Sequence, residues 1–178
     1  GRDVTIIKDF WQNGNLFFIG PQTSIGNMYL GPFFYYLISP SLLLLNYSPV
    51  GPAIFIAFLN ILTVYLIYFI SNRWFDKKTG LISSLLFAIS PVVVKYSNFI
   101  WNPNIMPLFS LLFVYFFFES FRTKKYNLFL YSSLSFVMVM NSHYLGLALL
   151  PFTGLYWLIK LINFYKSKSI ELKPFLKN

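Results

Sequence analysis

An unbroken apolar segment occupies residues 51–71 and reads GPAIFIAFLNILTVYLIYFIS. A helix needs about 20 mainly apolar residues to cross the hydrocarbon core of a bilayer, and this segment reaches that length without a charged side chain. It lies within a longer region, residues 10–72, that contains no Asp, Glu, Lys or Arg. The segment therefore predicts a membrane-spanning helix, and we interpret the chain around it as part of a membrane protein.

The composition of the 178 residues agrees with this interpretation, since 57% are hydrophobic, 22% are aromatic and 11% are charged. Soluble domains have about a quarter of their residues charged, and disordered chains combine high charge with few aromatics. Both classes are excluded by these figures. The sequence contains no cysteine, so disulfides, thiol nucleophiles and Cys-ligated metals are excluded as well.

Further uncharged runs at residues 79–94, 96–118 and 126–159 alternate with charged segments. We predict an all-α, polytopic transmembrane bundle of about five spans. Its parts are an outer-face loop with interfacial helices at 1–50, a helix bundle at 51–165 and a basic cytoplasmic tail at 166–178. The predicted spans are 51–71, 80–97, 104–121, 126–140 and 144–164.

The net charge of +9 follows the predicted topology. Lys and Arg accumulate in cytoplasmic loops, and the segments after the first, third and fifth spans carry eleven of them against three acidic residues, a net +8. The other segments carry +1, from Arg2, Lys8 and Lys95 against Asp3 and Asp9. The basic side is therefore predicted to face the cytoplasm. Orientation explains the basicity, and no nucleic-acid partner is expected.

Residues 3–12 have the periodicity of an amphipathic helix that lies in the membrane interface. At 100° per residue, one face collects Val4, Ile6, Ile7, Phe10 and Trp11. Asp3 falls in the middle of this apolar face. A carboxylate in that position is costly unless it is paired or functional. The alternative is that Asp3 caps the helix, a common use of Asp, and the two roles can coexist.

The apolar run at residues 31–45 is long enough to span, but Pro40 interrupts it. Two placements stay open for the segment 30–46. If it spans, residues 1–28 lie in the cytoplasm. If it lies in the interface, those residues stay outside, and the resemblance described next favours the interface.

Several short motifs follow one another along the chain and fall on its predicted outer side. They are Gly1-Arg2-Asp3, Gly20-Pro21-Gln22-Thr23-Ser24, Gly31-Pro32 leading into Tyr35-Tyr36-Leu37, Ser90-Pro91, Trp101-Asn102-Pro103-Asn104, and His143-Tyr144 followed by Pro151. Their order resembles the beginning of a polytopic glycosyltransferase of the protein O-mannosyltransferase and aminoarabinose transferase superfamily, which has the type C fold and is similar to glycosyltransferase family 39. The likeness covers nearly the whole chain.

The resemblance implies an enzyme that transfers a sugar from a polyprenyl-phosphate-linked donor to a glycan, lipid or protein acceptor. It implies a multi-pass protein, in the plasma membrane of a prokaryote, with its active face outward. Such enzymes carry an Asp-Glu pair directly after their first span, and the family pattern places this pair just before Gly1. The sequence is then expected to be an N-terminal fragment that lacks the first span and is itself inactive.

The resemblance also suggests site residues, with some departures from the family pattern. Asp3 is the nearest remaining carboxylate and the candidate catalytic residue. Leu30 stands where relatives often have Lys, and His143 where some have Lys. Asn102 and Asn104 stand where relatives place a second carboxylate. The candidate substrate-binding residues are Arg2, Lys8, Tyr35, Asn102, Asn104 and His143.

The chemistry of such a transfer needs a general base for the acceptor and a cation for the departing phosphate. Arg2, Lys8, Lys95 and His143 are candidate cations. A divalent metal could serve in their place, and no other cofactor is indicated. Because the fourth predicted span has only about 15 residues, shorter than the usual need, His143 is expected to be recessed into an embedded cavity.

Structural roles compete with these assignments. His143 and Tyr35 could be packing residues, and the two asparagines could hold turns around Pro103. Two other functions also fit a basic polytopic chain. A transporter or lipid-linked-glycan flippase would show inverted repeats or broken helices with charges at mid-membrane, and we find no convincing repeat. A non-catalytic membrane subunit is the second alternative.

Overall fold

The structure, a computed structural model, describes residues 2–23 and 25–172. It confirms the predicted all-α class, and the β structure in those residues is a single bridge between Gln22 and Tyr29. The residues up to Tyr144 form one compact unit, and a second unit begins at Leu145. The α-helices are α1 (Arg2–Asn13), α2 (Phe33–Leu44), α3 (Val50–Trp74), α4 (Lys77–Ala88), α5 (Pro91–Tyr96), α6 (Met106–Thr123), α7 (Leu128–Ser142) and α8 (Leu149–Leu172).

α3 and α6 run parallel, because residues 46 positions apart meet along both helices. The rings of Phe69 and Tyr115 lie 5.7 Å apart between centroids. One helical turn further on, Arg73 Nη2 lies 2.5 Å from Glu119 Oε1. The segments that follow these two helices therefore lie at the same end of the first unit. We call this end the basic end, because it carries Lys77, Lys78, Lys124 and Lys125.

α7 packs back along α6 through small side chains. Ser132, Ser135 and Ser142 are buried, and Ser132 Oγ donates a hydrogen bond of 3.2 Å to the carbonyl oxygen of Phe113. Small residues let membrane helices approach closely. This antiparallel packing places the end of α7 beside the start of α6, at the end of the unit opposite to the basic end.

α2 and α3 form an antiparallel hairpin joined by residues 45–49. Gly51 lies against the backbone carbonyl of Ser41, so a side chain at position 51 would collide with α2. α2 has 12 residues, about 18 Å at 1.5 Å per residue, and a single helix of that length is too short to cross the roughly 30 Å hydrocarbon core. The fully buried apolar side chains of this region are Ile7, Phe34, Ile38, Leu42 and Ile56.

Three helical segments are long and apolar enough to cross a membrane: Val50–Trp74, Asn102–Thr123 and Tyr144–Asn163. They coincide with three of the five predicted spans. A fourth predicted span, 126–140, is the shorter apolar helix α7. Many apolar side chains on α3 face outward, and Ile54, Phe58 and Ile61 are more than half exposed. Apolar surface of this extent is typical of a lipid-facing helix.

The remaining predicted span, 80–97, is divided in the structure. α4 ends at Ala88 and α5 begins at Pro91, with Ser90 in a non-helical conformation (φ −59°, ψ 123°) between them. Proline has no backbone N–H and suits the first position of a helix. Pro91 therefore starts a new helix within the segment that the sequence predicted as one span.

Candidate functional site

A pocket of about 230 Å³ opens at the end of the first unit that lies opposite to the basic end. It brings together three positions that are far apart in the chain, namely the loop before α2, the start of the short 3₁₀ helix Asn102–Ile105 and the end of α7. We call it the amide–histidine pocket. Its lining residues are Gln22, Thr23, Leu30, Trp101, Asn102, Pro103 and His143.

Backbone hydrogen bonds shape the loop that forms one wall of this pocket. Gly20 N donates to the Leu30 carbonyl at 2.9 Å, and Leu30 N donates to the Pro21 carbonyl at 3.0 Å. Gly26 turns the loop with a φ of 62°, a conformation that glycine adopts without steric cost. The loop thereby presents Gln22 and Leu30 to the same pocket.

The two Gly-Pro motifs pack against each other and against α7. Gly20 lies against the carbonyl of Gly31, and Gly31 lies against the side chain of Asn141. A Cβ atom at either glycine would collide with these neighbours. Gly20 is therefore required for close approach, because the atoms next to it are backbone, whereas a side chain at Gly31 would displace the Asn141 amide. The contact between Gly31 and Asn141 joins the loop to the end of α7.

Asn102 joins the start of the 3₁₀ helix to the end of α7. Its Nδ2 donates a hydrogen bond of 2.6 Å to the carbonyl oxygen of Ser142. The last carbonyls of a helix lack partners within the helix, so the amide satisfies one of them. Asn102 thus has a structural role while it lines the pocket.

His143 follows directly after α7 in an extended conformation, and its backbone N–H donates to the Val139 carbonyl at 3.0 Å. The centroid of its ring lies 4.2 Å from that of Tyr144. Burial lowers the pKa of His143 below its ordinary value of 6.5. The imidazole is therefore neutral at pH 7 and suits hydrogen bonding better than charge stabilisation of a phosphate.

Asn104 lies outside the amide–histidine pocket. Its Nδ2 donates to the Tyr96 carbonyl at 2.9 Å and to the Phe99 carbonyl at 2.7 Å. These bonds hold the turn between α5 and the 3₁₀ helix. Asn104 also lines a neighbouring, mainly apolar pocket of about 210 Å³ that shares Trp101 with the first.

Asp3 has a partner in α2. The hydroxyl of Tyr35 donates a hydrogen bond of 3.1 Å to Asp3 Oδ1, and the Tyr35 ring is 2% exposed. Asp3 lies within the first turn of α1, where the helix dipole favours a carboxylate. Tyr35 also lines a third pocket, of about 280 Å³, which shares Gln22 with the amide–histidine pocket. Asp3 itself does not line the amide–histidine pocket, and its link to that pocket runs through Tyr35 and Gln22.

Of the candidate cations, His143 lines the amide–histidine pocket, whereas Lys8 and Lys95 do not. Lys8 Nζ lies 5.8 Å from the ring centroid of Tyr47, and Lys95 Nζ lies 5.3 Å from that of Tyr96. The side chain of Arg2 is outside the part of the chain that the structure describes. Within residues 2–23 and 25–172, no three His, Asp or Glu side chains are grouped as ligands for a metal ion.

Gln22 and Trp101 are two of the five pocket residues for which the sequence predicted no site role. Both belong to the short motifs that carry the family resemblance. The signal in the sequence was their position beside the turn-forming pairs Gly20-Pro21 and Asn102-Pro103. That they line one pocket became visible in the tertiary structure.

A family model described as dolichyl-phosphate-mannose-protein mannosyltransferase matches residues 30–172. The match includes Leu30, Trp101, Asn102 and His143 of the amide–histidine pocket. Neither the curated proteins nor the solved structures contain a significant match to this chain.

Proposed function

The chain belongs to the dolichyl-phosphate-mannose-protein mannosyltransferase family, and from that premise we propose that it transfers a sugar from a polyprenyl-phosphate-linked donor at the outer face of a membrane. The family assignment makes it a membrane glycosyltransferase. The observation that supports the proposed site is the amide–histidine pocket, where Asn102 and His143 meet from different helices.

The transfer has defined chemical requirements. An acceptor hydroxyl or amine attacks the anomeric carbon of the sugar, a bond to the acceptor forms, and the bond to the lipid phosphate breaks. A base takes the proton of the acceptor, and donors or cations stabilise the phosphate. The isoprenoid chain of such a donor stays in lipid, which requires a site close to the membrane boundary.

We assign hydrogen-bonding roles to the pocket residues. The neutral imidazole of His143 and the side chains of Asn102 and Gln22 are proposed to bind hydroxyls of the sugar or oxygens of the phosphate. Trp101, which is 46% exposed, offers an aromatic face to the sugar. Asp3 remains the proposed carboxylate, and its hydrogen bond with Tyr35 would hold it in one orientation.

The outward orientation rests on charge. The amide–histidine pocket and the Lys-rich basic end lie at opposite ends of the first unit, and positive residues mark the cytoplasmic side. The pocket is therefore proposed to open on the non-cytoplasmic side, where lipid-linked donors, rather than soluble nucleotide sugars, supply the sugar.

The test is sugar transfer by the full-length protein in membranes, measured with a radiolabelled polyprenyl-phosphate mannose donor. His143→Ala and Asn102→Ala are each expected to lower the rate about tenfold, the effect of losing one hydrogen bond of about 1.4 kcal/mol. Asn127→Ala is the matched control, because Asn127 is exposed at the basic end and makes no capping hydrogen bond with its side chain. Transfer from a soluble nucleotide sugar, or unchanged rates in both pocket variants, would contradict the proposal.

A further inference from the structure

Two arginines from different helices converge on one buried carboxylate at the basic end. Glu119, which is 3% exposed, accepts hydrogen bonds from Arg122 Nε at 2.8 Å and Nη2 at 2.6 Å. It also accepts from Arg73 Nε at 3.1 Å and Nη2 at 2.5 Å. We call Arg73, Glu119 and Arg122 the guanidinium cluster. It has no part in the proposed transfer, since it lies at the end of the unit opposite to the amide–histidine pocket.

The guanidinium cluster has unused binding capacity. One carboxylate neutralises one of its two cations, so the cluster keeps a net charge of +1. The side chains of Arg73 and Arg122 are 40% and 49% exposed. In the described part of the chain the Nη1 groups of both arginines make no hydrogen bond. Such planar N–H groups match the oxygens of a phosphate in geometry and charge.

The surroundings of the guanidinium cluster strengthen its attraction for anions. The Arg73–Glu119 pair holds the segments 73–78 and 119–125 together, and these segments carry six basic residues against two acidic residues, a net +4. Two aromatic side chains of this end, Phe75 within the first segment and Tyr126 after the second, are 72% and 64% exposed. Exposed aromatics at a helix end are typical of the headgroup level of a membrane.

We propose that the guanidinium cluster is a binding site for the phosphate group of an anionic lipid headgroup. α3 and α6 are membrane-spanning candidates, and the cluster lies in the last turns of both helices. Lipid phosphates are therefore concentrated at its level. A phosphate oxygen bound by Nη1 of Arg73 and Nη1 of Arg122 would neutralise the positive charge that Glu119 does not. It would also connect the ends of the two helices.

The test measures lipid binding to the purified, delipidated full-length protein in detergent by native mass spectrometry. Phosphatidylglycerol is expected to bind at least about tenfold more tightly than phosphatidylcholine, since charged hydrogen bonds are stronger than neutral ones. Arg122→Gln is expected to weaken phosphatidylglycerol binding about tenfold relative to the unmodified protein. Lys125→Gln is the matched control, because it removes one positive charge from the same end without altering the guanidinium cluster. The affinity of this variant for phosphatidylglycerol should change less than about threefold.

A second variant keeps the proposal testable if Arg122→Gln protein does not fold. Glu119→Gln removes the competing negative charge and frees both guanidinium groups, so phosphatidylglycerol should bind more tightly than to the unmodified protein. A loss of folding would not produce this gain. Equal binding of the two lipids, equal losses in Arg122→Gln and Lys125→Gln, or no gain in Glu119→Gln would each overturn the proposal.

Inorganic phosphate distinguishes the source of the ligand. If the site recognises a lipid headgroup at the membrane level, excess inorganic phosphate should leave bound phosphatidylglycerol in place. Complete displacement by inorganic phosphate would instead assign the site to a free phosphate ion and overturn its assignment to a lipid.

Discussion

At the scale of single residues, Gly31 occupies a closely packed position in the site. It lies where the loop before α2 meets the side chain of Asn141, and a Cβ atom would come within 2.8 Å of the Asn141 amide carbon. Gly31→Ala is expected to destabilise the protein by about 1–3 kcal/mol, the usual cost of overpacking. The midpoint of thermal unfolding of the full-length protein in detergent measures this effect.

Gly154→Ala is the control for that substitution. Nothing lies within 4 Å of a Cβ atom at Gly154, and this residue is inside α8. Alanine is favoured over glycine in a helix by about 1 kcal/mol, so the control should unfold at the same or a higher temperature. If Gly31→Ala unfolds no earlier than the unmodified protein, the close packing of the loop on α7 is contradicted.

The position of Asp3 on its helix was predicted from the sequence, but its partner was not. Helical periodicity alone placed its carboxylate on the apolar face of α1. The partner that occupies this face, the hydroxyl of Tyr35, comes from another helix and was found in the structure. The suggested role of Asp3 in catalysis stays a prediction.

At the scale of secondary-structure elements, the start of α4 depends on Asp76. Its side chain accepts hydrogen bonds from the backbone N–H of Thr79 at 2.8 Å and from the Thr79 hydroxyl at 3.0 Å. Both bonds lower the pKa of Asp76 below its ordinary value of 3.8, and the bond from the backbone N–H has the larger effect. A lowered pKa means that the folded protein favours the ionised carboxylate.

The stability that Asp76 gives to the start of α4 decreases at low pH. Asp76 stabilises α4 fully above its ordinary pKa, and this contribution is lost as the pH falls through its lower pKa in the folded state. Asp76→Ala should therefore accelerate amide hydrogen exchange at Thr79 at pH 7, and the difference from the unmodified protein should shrink below pH 3.8. Asn also caps helices well, so Asp76→Asn should keep slow exchange and lose the pH dependence. A difference that persists at low pH would contradict the capping role.

The break between α4 and α5 shows how far element boundaries could be predicted. The sequence predicted one helix over 80–97 because its apolar run continues through Pro91. In the structure Ser90 is not helical and Pro91 begins a second helix. Proline in a membrane segment permits either a kink or a restart, and the choice depends on neighbouring elements.

At the scale of the whole molecule, the orientation in the membrane can be tested directly because the sequence has no cysteine. Single substitutions Asn15→Cys and Lys78→Cys introduce thiols in the exposed loop after α1 and at the basic end. A membrane-impermeant maleimide added to intact cells is expected to label Asn15→Cys. Lys78→Cys should react only after the membrane is permeabilised. Labelling of Asn15→Cys only from the cytoplasmic side would reverse the proposed orientation.

The sequence by itself determined the class of the protein, since long uncharged segments leave lipid as the solvent for most of the chain. Its motifs also pointed to the glycosyltransferase family that the family match established. These properties are local and compositional, so they can be read without coordinates.

The tertiary structure decided which of the candidate residues meet. It placed Asn102 and His143 in one pocket with Gln22 and Trp101, and placed Asn104 outside that pocket. It also paired Arg73 with Glu119 across two helices. The physical reason is that such contacts depend on the register of α3, α6 and α7. That register is set by close packing between side chains distant in sequence, a property that local periodicity does not contain.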